Sequence, residues 1–150
     1  MAWYHQSSPH DTHDWDSTQV AVLIDDEENG RKRKLVAQAA RNGHYFLLDR
    51  TTGKALVSAE FVKTNWTKGY DAKGQPIPDP AKMPQPDGTL VTPNINGATN
   101  WQSPSFSPLT GLMYVSAVRG YGIFYLYDTS ENPMGWGGGE RGGSSESVVE

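Results

Sequence analysis

The chain has 150 residues, of which 36% are hydrophobic and 11% aromatic, so it is long and apolar enough to fold around a core. Its formal net charge is −4, whereas a nucleic-acid-binding domain usually has a strongly basic surface, so binding of nucleic acid is not expected. The absence of cysteine excludes disulfides and thiolate metal sites, and no apolar run approaches the roughly 20 residues of a membrane span. The N-terminus lacks the apolar region of a signal peptide, so any export signal is expected upstream.

Four short apolar segments follow a polar loop that is predicted over residues 1–18. The segments lie at 20–24, 34–38, 44–48 and 55–61, separated by turns at 25–30, 41–43 and 49–54. The Asn42-Gly43 pair favours a tight turn because it readily adopts positive φ. An acidic run at 25–28 and a basic run at 31–34 are predicted to form a solvated turn with opposed charges. Four short antiparallel strands are typical of one β-propeller blade, here over residues 19–61.

Residues 62–100 differ in character because they contain six of the ten prolines. They are predicted to form a long, ordered surface excursion with little regular structure. A second series of strands is predicted at 103–106, 112–117 and 122–127, in a partial blade over residues 101–150. Residues 135–145, rich in glycine and serine, predict a flexible loop, and 147–150 predict the start of a strand without a partner.

Six short motifs occur in order along the chain. They are Trp3-Tyr-x-Gln6, Pro9-His-Asp11, Asp14-Trp-Asp16, Arg41-Asn-Gly43, Leu48-Asp-Arg-Thr-Thr-Gly-Lys54 and Gly97-Ala-Thr-Asn-Trp101. In this combination the sequence resembles the PQQ-dependent methanol and ethanol dehydrogenases. The resemblance implies an all-β fold, an eight-bladed propeller of antiparallel four-stranded blades with the quinone cofactor on its axis. The chain would supply about two blades of this quinoprotein domain: the blade 19–61, the Pro-rich excursion 62–100 and the partial blade 101–150.

The resemblance implies that Asp16 is the catalytic base and also a metal ligand. Oxidation of an alcohol by hydride transfer to a quinone requires removal of the hydroxyl proton, which a carboxylate within hydrogen-bond reach can accept. A Ca²⁺ ion bound to the quinone oxygens would act as a Lewis acid, and carboxylate oxygens suit this hard cation. Asp11 and Asp14 compete with Asp16 for the catalytic position, because Thr12 and His13 resemble a two-residue insertion.

Three further residues match positions that contact PQQ in the family. Arg41 matches the basic residue at the ortho-dicarbonyl edge of the quinone, where a cation stabilises developing negative charge. Asn100 and Trp101 match a pair of cofactor contacts that can offer an amide and an indole N–H. The alternatives are a surface arginine beside a turn and a tryptophan that only packs between blades.

The metal can be predicted from one further position. Relatives that use lanthanides carry another aspartate two positions after the catalytic one, and Thr18 stands there if Asp16 is the base. The missing negative ligand favours Ca²⁺ over a trivalent lanthanide. The family's other metal ligands and adjacent cysteines have no match in this chain, so the chain alone is expected to be inactive and poorly stable.

The resemblance therefore implies a segment of a periplasmic PQQ- and Ca²⁺-dependent dehydrogenase that oxidises small alcohols to aldehydes. Its expected electron acceptor is a periplasmic protein such as a cytochrome c, with no nucleic-acid partner. Two alternatives remain. One is a non-catalytic β-propeller that serves as a binding or structural module, since a fold does not fix a function. The other is a metal-dependent hydrolase, with the ligand set His10, Asp11, His13 and Asp16.

Overall fold

The computed structural model describes residues 1–126 and the backbone of 147–149. The strands of these residues are β1 (Val22–Glu28), β2 (Arg31–Ala39), β3 (His44–Asp49), β4 (Ala55–Glu60), β5 (Thr67–Tyr70), β6 (Pro76–Pro78), β7 (Thr89–Val91), β8 (Ser105–Ser107), β9 (Leu112–Tyr114), β10 (Gly120–Phe124) and β11 (Ser147–Val149). The one helical element among the described residues is the 3₁₀ turn Pro80–Lys82. The described residues contain no helix long and apolar enough to cross a membrane. The prediction of an all-β fold is confirmed.

The predicted blade is a four-stranded antiparallel sheet in the order β1-β2-β3-β4. Its first two strands are longer than expected, because the predicted turn at 25–30 is confined to Asn29 and Gly30, which both have positive φ. The acidic run lies directly across from the basic run in strand register. Arg33 forms ion pairs of 2.7 Å with both Asp26 and Glu28, so opposed charges extend the hairpin instead of ending it.

Both faces of this sheet are covered, as the alternating burial of β2 and β3 requires. On one face, Leu35 and Ala37 pack with Phe106 and Met113 from the hairpin of β8 and β9. On the other face, Phe46 and Leu48 pack with Trp3 from the N-terminal loop and Tyr70 from β5. The blade is therefore packed between the N-terminal loop and the later part of the chain.

The turns at 49–54 and 107–111 share one backbone geometry. The N–H of Gly53 donates to the carbonyl of Asp49 at 2.8 Å, and the N–H of Gly111 donates to that of Ser107 at the same distance. Both glycines have positive φ, +75° and +69°. The Asp49 carboxylate also accepts hydrogen bonds from the Thr51 hydroxyl and backbone N–H, which lower the pKa of Asp49. The turn 49–54 thus has a structural role.

The excursion over 62–100 contains more regular structure than predicted. Strands β5 and β6 pair with each other, and β7 pairs with β10 in a three-stranded sheet of order β11-β10-β7. Pro76 and Pro78 are tolerated in β6 because a two-stranded ladder leaves one edge of each strand open. The prediction that 147–150 lacks a partner is wrong, since β11 pairs with β10. The predicted flexible loop at 135–145 lies outside the described residues.

A buried polar network ties the blade to the excursion. His44 on β3 is 1% exposed, and its Nδ1 lies 2.5 Å from the hydroxyl of Tyr70. Its Nε2 lies 3.4 Å from the hydroxyl of Thr64, which donates to Glu60 at 2.6 Å. Burial lowers the pKa of His44 to about 4, against the opposing attraction of Glu60. Burial also raises the pKa of Tyr70 to about 12, with the charge of Glu60 acting in the same direction.

Protonation of His44 is expected to make the fold less stable in acid. Its pKa falls from 6.5 to about 4 on folding, so the unfolded state binds more protons between these two pH values. Stability should be unaffected by His44 above pH 6.5 and should fall by about 3 kcal/mol as the pH drops through this window. Urea unfolding from pH 4 to 8 measures this loss, and His44→Gln should reduce it. Parallel pH profiles for the two proteins would contradict the prediction.

Candidate active site

The N-terminal loop exposes the carboxylates of Asp14 and Asp16 to solvent and buries the ring of Trp15, which lies between them in the sequence. Trp15 is 1% exposed, whereas its neighbours Asp14 and Asp16 are both exposed. In residues 1–126, neither of these two carboxylates accepts a hydrogen bond from the protein. Both are therefore available to a group that binds from outside.

Asp11 is engaged within the loop. Its Oδ1 accepts from the backbone N–H of His13 at 2.9 Å, and its Oδ2 accepts from that of Trp15 at 2.7 Å. A carboxylate that caps backbone donors in this way holds a loop in shape. Of the three aspartates that compete for the catalytic position, Asp11 is the one whose two oxygens already serve the fold.

Trp15 attaches the N-terminal loop to the core. Its indole N–H donates to the carbonyl of Asn94 at 2.9 Å, and its ring contacts Trp66 with centroids 5.2 Å apart. Trp66 is itself 3% exposed and belongs to the same core cluster. Asp14 has φ +62°, a conformation that is uncommon outside glycine and often found at functional sites.

The residues of the hydrolase alternative do not form a ligand set. His13 is buried, stacks on Trp15 with centroids 4.4 Å apart, and places its Nε2 3.0 Å from the carbonyl of Lys82. Burial lowers the pKa of His13, against the opposing influence of the Lys82 carbonyl and of Asp11. Across the described ranges, no group of three or more His, Cys, Asp or Glu side chains is placed to hold a metal ion.

Arg41 meets the Gly97–Trp101 motif directly. Its Nη2 donates to the carbonyl of Ile95 at 2.5 Å, and its own carbonyl accepts from the N–H of Ala98 at 2.8 Å. Gly97 has φ +82°, and a Cβ there would lie 2.8 Å from both the Cβ and the carbonyl oxygen of Arg41. Glycine is therefore required for this close approach.

A buried glutamine joins these motifs to the N-terminal loop. Gln19 accepts the backbone N–H of Arg41 at 3.2 Å and donates to the carbonyl of Asn100 at 3.3 Å. Gln19 lies three residues after Asp16, so the chain segment that carries Asp16 meets Arg41 and Asn100, two of the other three predicted site residues, here. Trp101 follows Asn100 and is 79% exposed, so within residues 1–126 it is not a packing residue.

Three buried polar atoms in this neighbourhood have no hydrogen-bond partner in the described part of the chain. They are Nε of Arg41, Oδ1 of Asn100 and Oγ1 of Thr99. Buried polar atoms are normally satisfied, so such a cluster fits a site that receives a polar ligand. The guanidinium of Arg41 is a donor suited to the oxygens of a quinone, whereas the Oδ1 of Asn100 can only accept a hydrogen bond from a ligand. The Nδ2 of Asn100 already donates to the carbonyl of Asn96 at 2.9 Å.

Sequence reasoning missed two residues of this neighbourhood. Thr99 lies inside the Gly97–Trp101 motif, so its position in the motif was the available signal. Gln19 carried none, because a glutamine between a polar loop and an apolar strand gives no indication of burial.

The sequence profile of the PQQ glucose/ethanol/alcohol dehydrogenase β-propeller domain matches residues 1–87. The chain is 41% identical over 115 residues to the 1-butanol dehydrogenase (cytochrome c) of Thauera butanivorans. That match covers 77% of this chain and 17% of the relative. The chain thus spans a small part of the length of such relatives.

Solved structures of similar proteins agree with this match. The quinohemoprotein alcohol dehydrogenase ADHIIG of Pseudomonas putida HK5 superposes with a TM-score of 0.73 at 37% identity, covering 83% of this chain and 19% of that one. A europium-containing methanol dehydrogenase superposes with a TM-score of 0.74 at 31% identity, covering 81% of this chain and 22% of that one.

Proposed function

We propose, because this chain belongs to the PQQ-dependent glucose/ethanol/alcohol dehydrogenase β-propeller family, that it is part of a PQQ- and Ca²⁺-dependent enzyme that oxidises small alcohols to aldehydes. One observation carries the proposal: Gln19, on the segment of Asp16, bonds to Arg41 and Asn100 beside buried polar atoms that have no hydrogen-bond partner within residues 1–126. The proposed domain division is the blade 19–61, the excursion 62–100 and the partial blade 101–150.

Arg41, Asn100 and Trp101 are the proposed cofactor contacts. When bound, PQQ supplies a quinone carbonyl that accepts hydride from the alcohol carbon. Arg41 is held by the carbonyl of Ile95, and its Nε has no partner in the part of the chain that the structure describes. Its positive charge would stabilise negative charge on a neighbouring oxygen. Asn100 offers the Oδ1 of its amide as an acceptor, since its Nδ2 donates to the carbonyl of Asn96. The exposed indole of Trp101 offers an N–H and a flat face.

Asp16 is the proposed general base. Its exposed carboxylate would accept the hydroxyl proton of the alcohol and would also be an oxygen ligand for a bound metal ion. The buried Trp15 fixes the backbone on its N-terminal side, and the carbonyl of Asp16 accepts from the N–H of Thr18 at 2.8 Å. The carboxylate is thus carried by a segment with little freedom to move.

A second assignment makes Asp14 the base and Asp16 the further metal ligand. It is favoured by the strained φ of Asp14 and by the two-residue spacing between two exposed carboxylates. This is the spacing at which lanthanide-using relatives carry their extra aspartate, and no insertion is then needed. The metal would in that case include a trivalent ion, as in the europium-containing neighbour.

The proposed compartment is the periplasm and the proposed acceptor a cytochrome c. The relative from Thauera is named as a cytochrome c-linked dehydrogenase, which supports a protein acceptor of this kind. The net charge of −4 argues against a nucleic-acid partner, because such partners bind basic surfaces.

Alcohol-dependent dye reduction tests the proposed function. The holoenzyme that contains this chain, loaded with PQQ and Ca²⁺, is expected to reduce an artificial acceptor with a small primary alcohol and to release the aldehyde. Residues 1–150 alone are expected to be inactive. Binding of PQQ without any alcohol oxidation by the holoenzyme would instead support the non-catalytic propeller, and Zn²⁺-dependent hydrolysis would support the hydrolase.

A further inference from the structure

One buried amide side chain connects the carboxylate loop to both cofactor motifs. Gln19 is 7% exposed and lies outside every motif of the resemblance. Its Oε1 accepts the N–H of Arg41 at 3.2 Å, and its Nε2 donates to the carbonyl of Asn100 at 3.3 Å. The same Nε2 also donates to the hydroxyl of Thr18 at 3.2 Å. One side chain therefore bonds to two distant segments of the chain as well as to its own neighbour Thr18.

The backbone of Gln19 is fixed as well. Its carbonyl accepts from the side chain of Gln38 on β2 at 3.0 Å, so the residue is tied to the blade. Thr18, which bonds to the Gln19 amide, donates its own N–H to the carbonyl of Asp16 at 2.8 Å. A continuous series of hydrogen bonds thus runs from Asp16 through Gln19 to Arg41 and Asn100.

We propose that Gln19 is a positioning residue that sets the separation between the carboxylate of Asp16 and the cofactor contacts Arg41 and Asn100. The inference rests on the proposed function. In this role Gln19 acts through the backbone atoms of Arg41 and Asn100, to which it is hydrogen-bonded, and not as a cofactor contact itself. A small displacement of a reacting group lowers the rate strongly, because transfer needs the reacting atoms close together and aligned.

Gln19→Met keeps the length of the side chain and removes its hydrogen bonds. In the holoenzyme it is expected to raise the dissociation constant of PQQ about tenfold. It is also expected to lower kcat about 10- to 100-fold, with a smaller change in KM. PQQ affinity is measured by equilibrium titration of the apoenzyme, and kcat and KM by steady-state dye reduction.

Asn65 provides a matched control. Its amide also joins backbone segments, accepting the N–H of Thr92 at 2.9 Å and donating to the carbonyl of Leu90 at 3.3 Å. Asn65→Leu should lower the melting temperature about as much as Gln19→Met while leaving PQQ affinity unchanged. If Gln19→Met does not fold, Gln19→Glu takes its place, because it keeps the acceptor for Arg41 and loses the donor to Asn100.

The outcomes separate the two proposals. Loss of PQQ affinity and kcat in the Gln19 variant alone supports positioning. A folded Gln19 variant with wild-type PQQ affinity and kcat, or parallel losses in the Gln19 and Asn65 variants, overturns it. A wild-type holoenzyme that binds no PQQ overturns the proposed function instead.

Discussion

Asp16→Asn is expected to lower kcat for alcohol oxidation by about 10²- to 10⁴-fold, the range typical for loss of a general acid or base. Asparagine has nearly the same shape as aspartate but cannot accept the hydroxyl proton at neutral pH. The carboxylate of Asp16 accepts no hydrogen bond within residues 1–126, so the fold should tolerate the change. Steady-state dye reduction by the holoenzyme, with Ca²⁺ and separately with a lanthanide, measures the effect.

Asp14→Asn and Asp87→Asn are the comparison variants. Asp87 is exposed, so its variant removes one negative charge at a position that no part of the proposed site uses. We expect the loss of activity with both metals to follow Asp16. Inactivity of Asp14→Asn with both metals, together with an Asp16→Asn enzyme that works with Ca²⁺ but not with a lanthanide, would transfer the role of base to Asp14.

The features that were predictable from sequence are local ones. Gly43 and Gly53 both have a positive φ that few other residues allow, so the turns at 41–43 and 49–54 lie where the sequence predicts them. The alternating burial of β2 and β3 follows from the period of two along a strand. Both kinds of information are contained within a few consecutive residues.

The features that were missed depend on distant parts of the chain. Strand β7 was assigned to an irregular excursion because its partner β10 lies about 30 residues later, and three residues carry little strand signal of their own. The burial of Gln19 depends on acceptors and donors at Arg41 and Asn100, which only the folded chain brings near it. The sequence does not distinguish Asp11 from Asp14 and Asp16. The structure does, because backbone N–H groups of the loop donate hydrogen bonds to both oxygens of Asp11.

Trp15→Ala is expected to destabilise the fold by about 3–5 kcal/mol, the usual cost of truncating a fully buried tryptophan. Trp15 is 1% exposed and packs in one core cluster with Trp66, Val91 and Phe124. The change leaves a cavity, and it also leaves the carbonyl of Asn94 without its indole donor. Urea unfolding of the wild-type and variant proteins measures the difference.

The exposed Trp101 gives a matched comparison, because it is the same residue type at 79% exposure. Trp101→Ala should change stability by no more than about 0.5 kcal/mol, as is usual for surface substitutions, while weakening PQQ binding. Trp15→Ala should lower both stability and kcat, since Trp15 fixes the backbone between Asp14 and Asp16. If Trp15→Ala lowers the free energy of unfolding by less than about 1 kcal/mol, the ring of Trp15 does not hold the carboxylate loop in place. Other contacts would then have to fix the position of the proposed base.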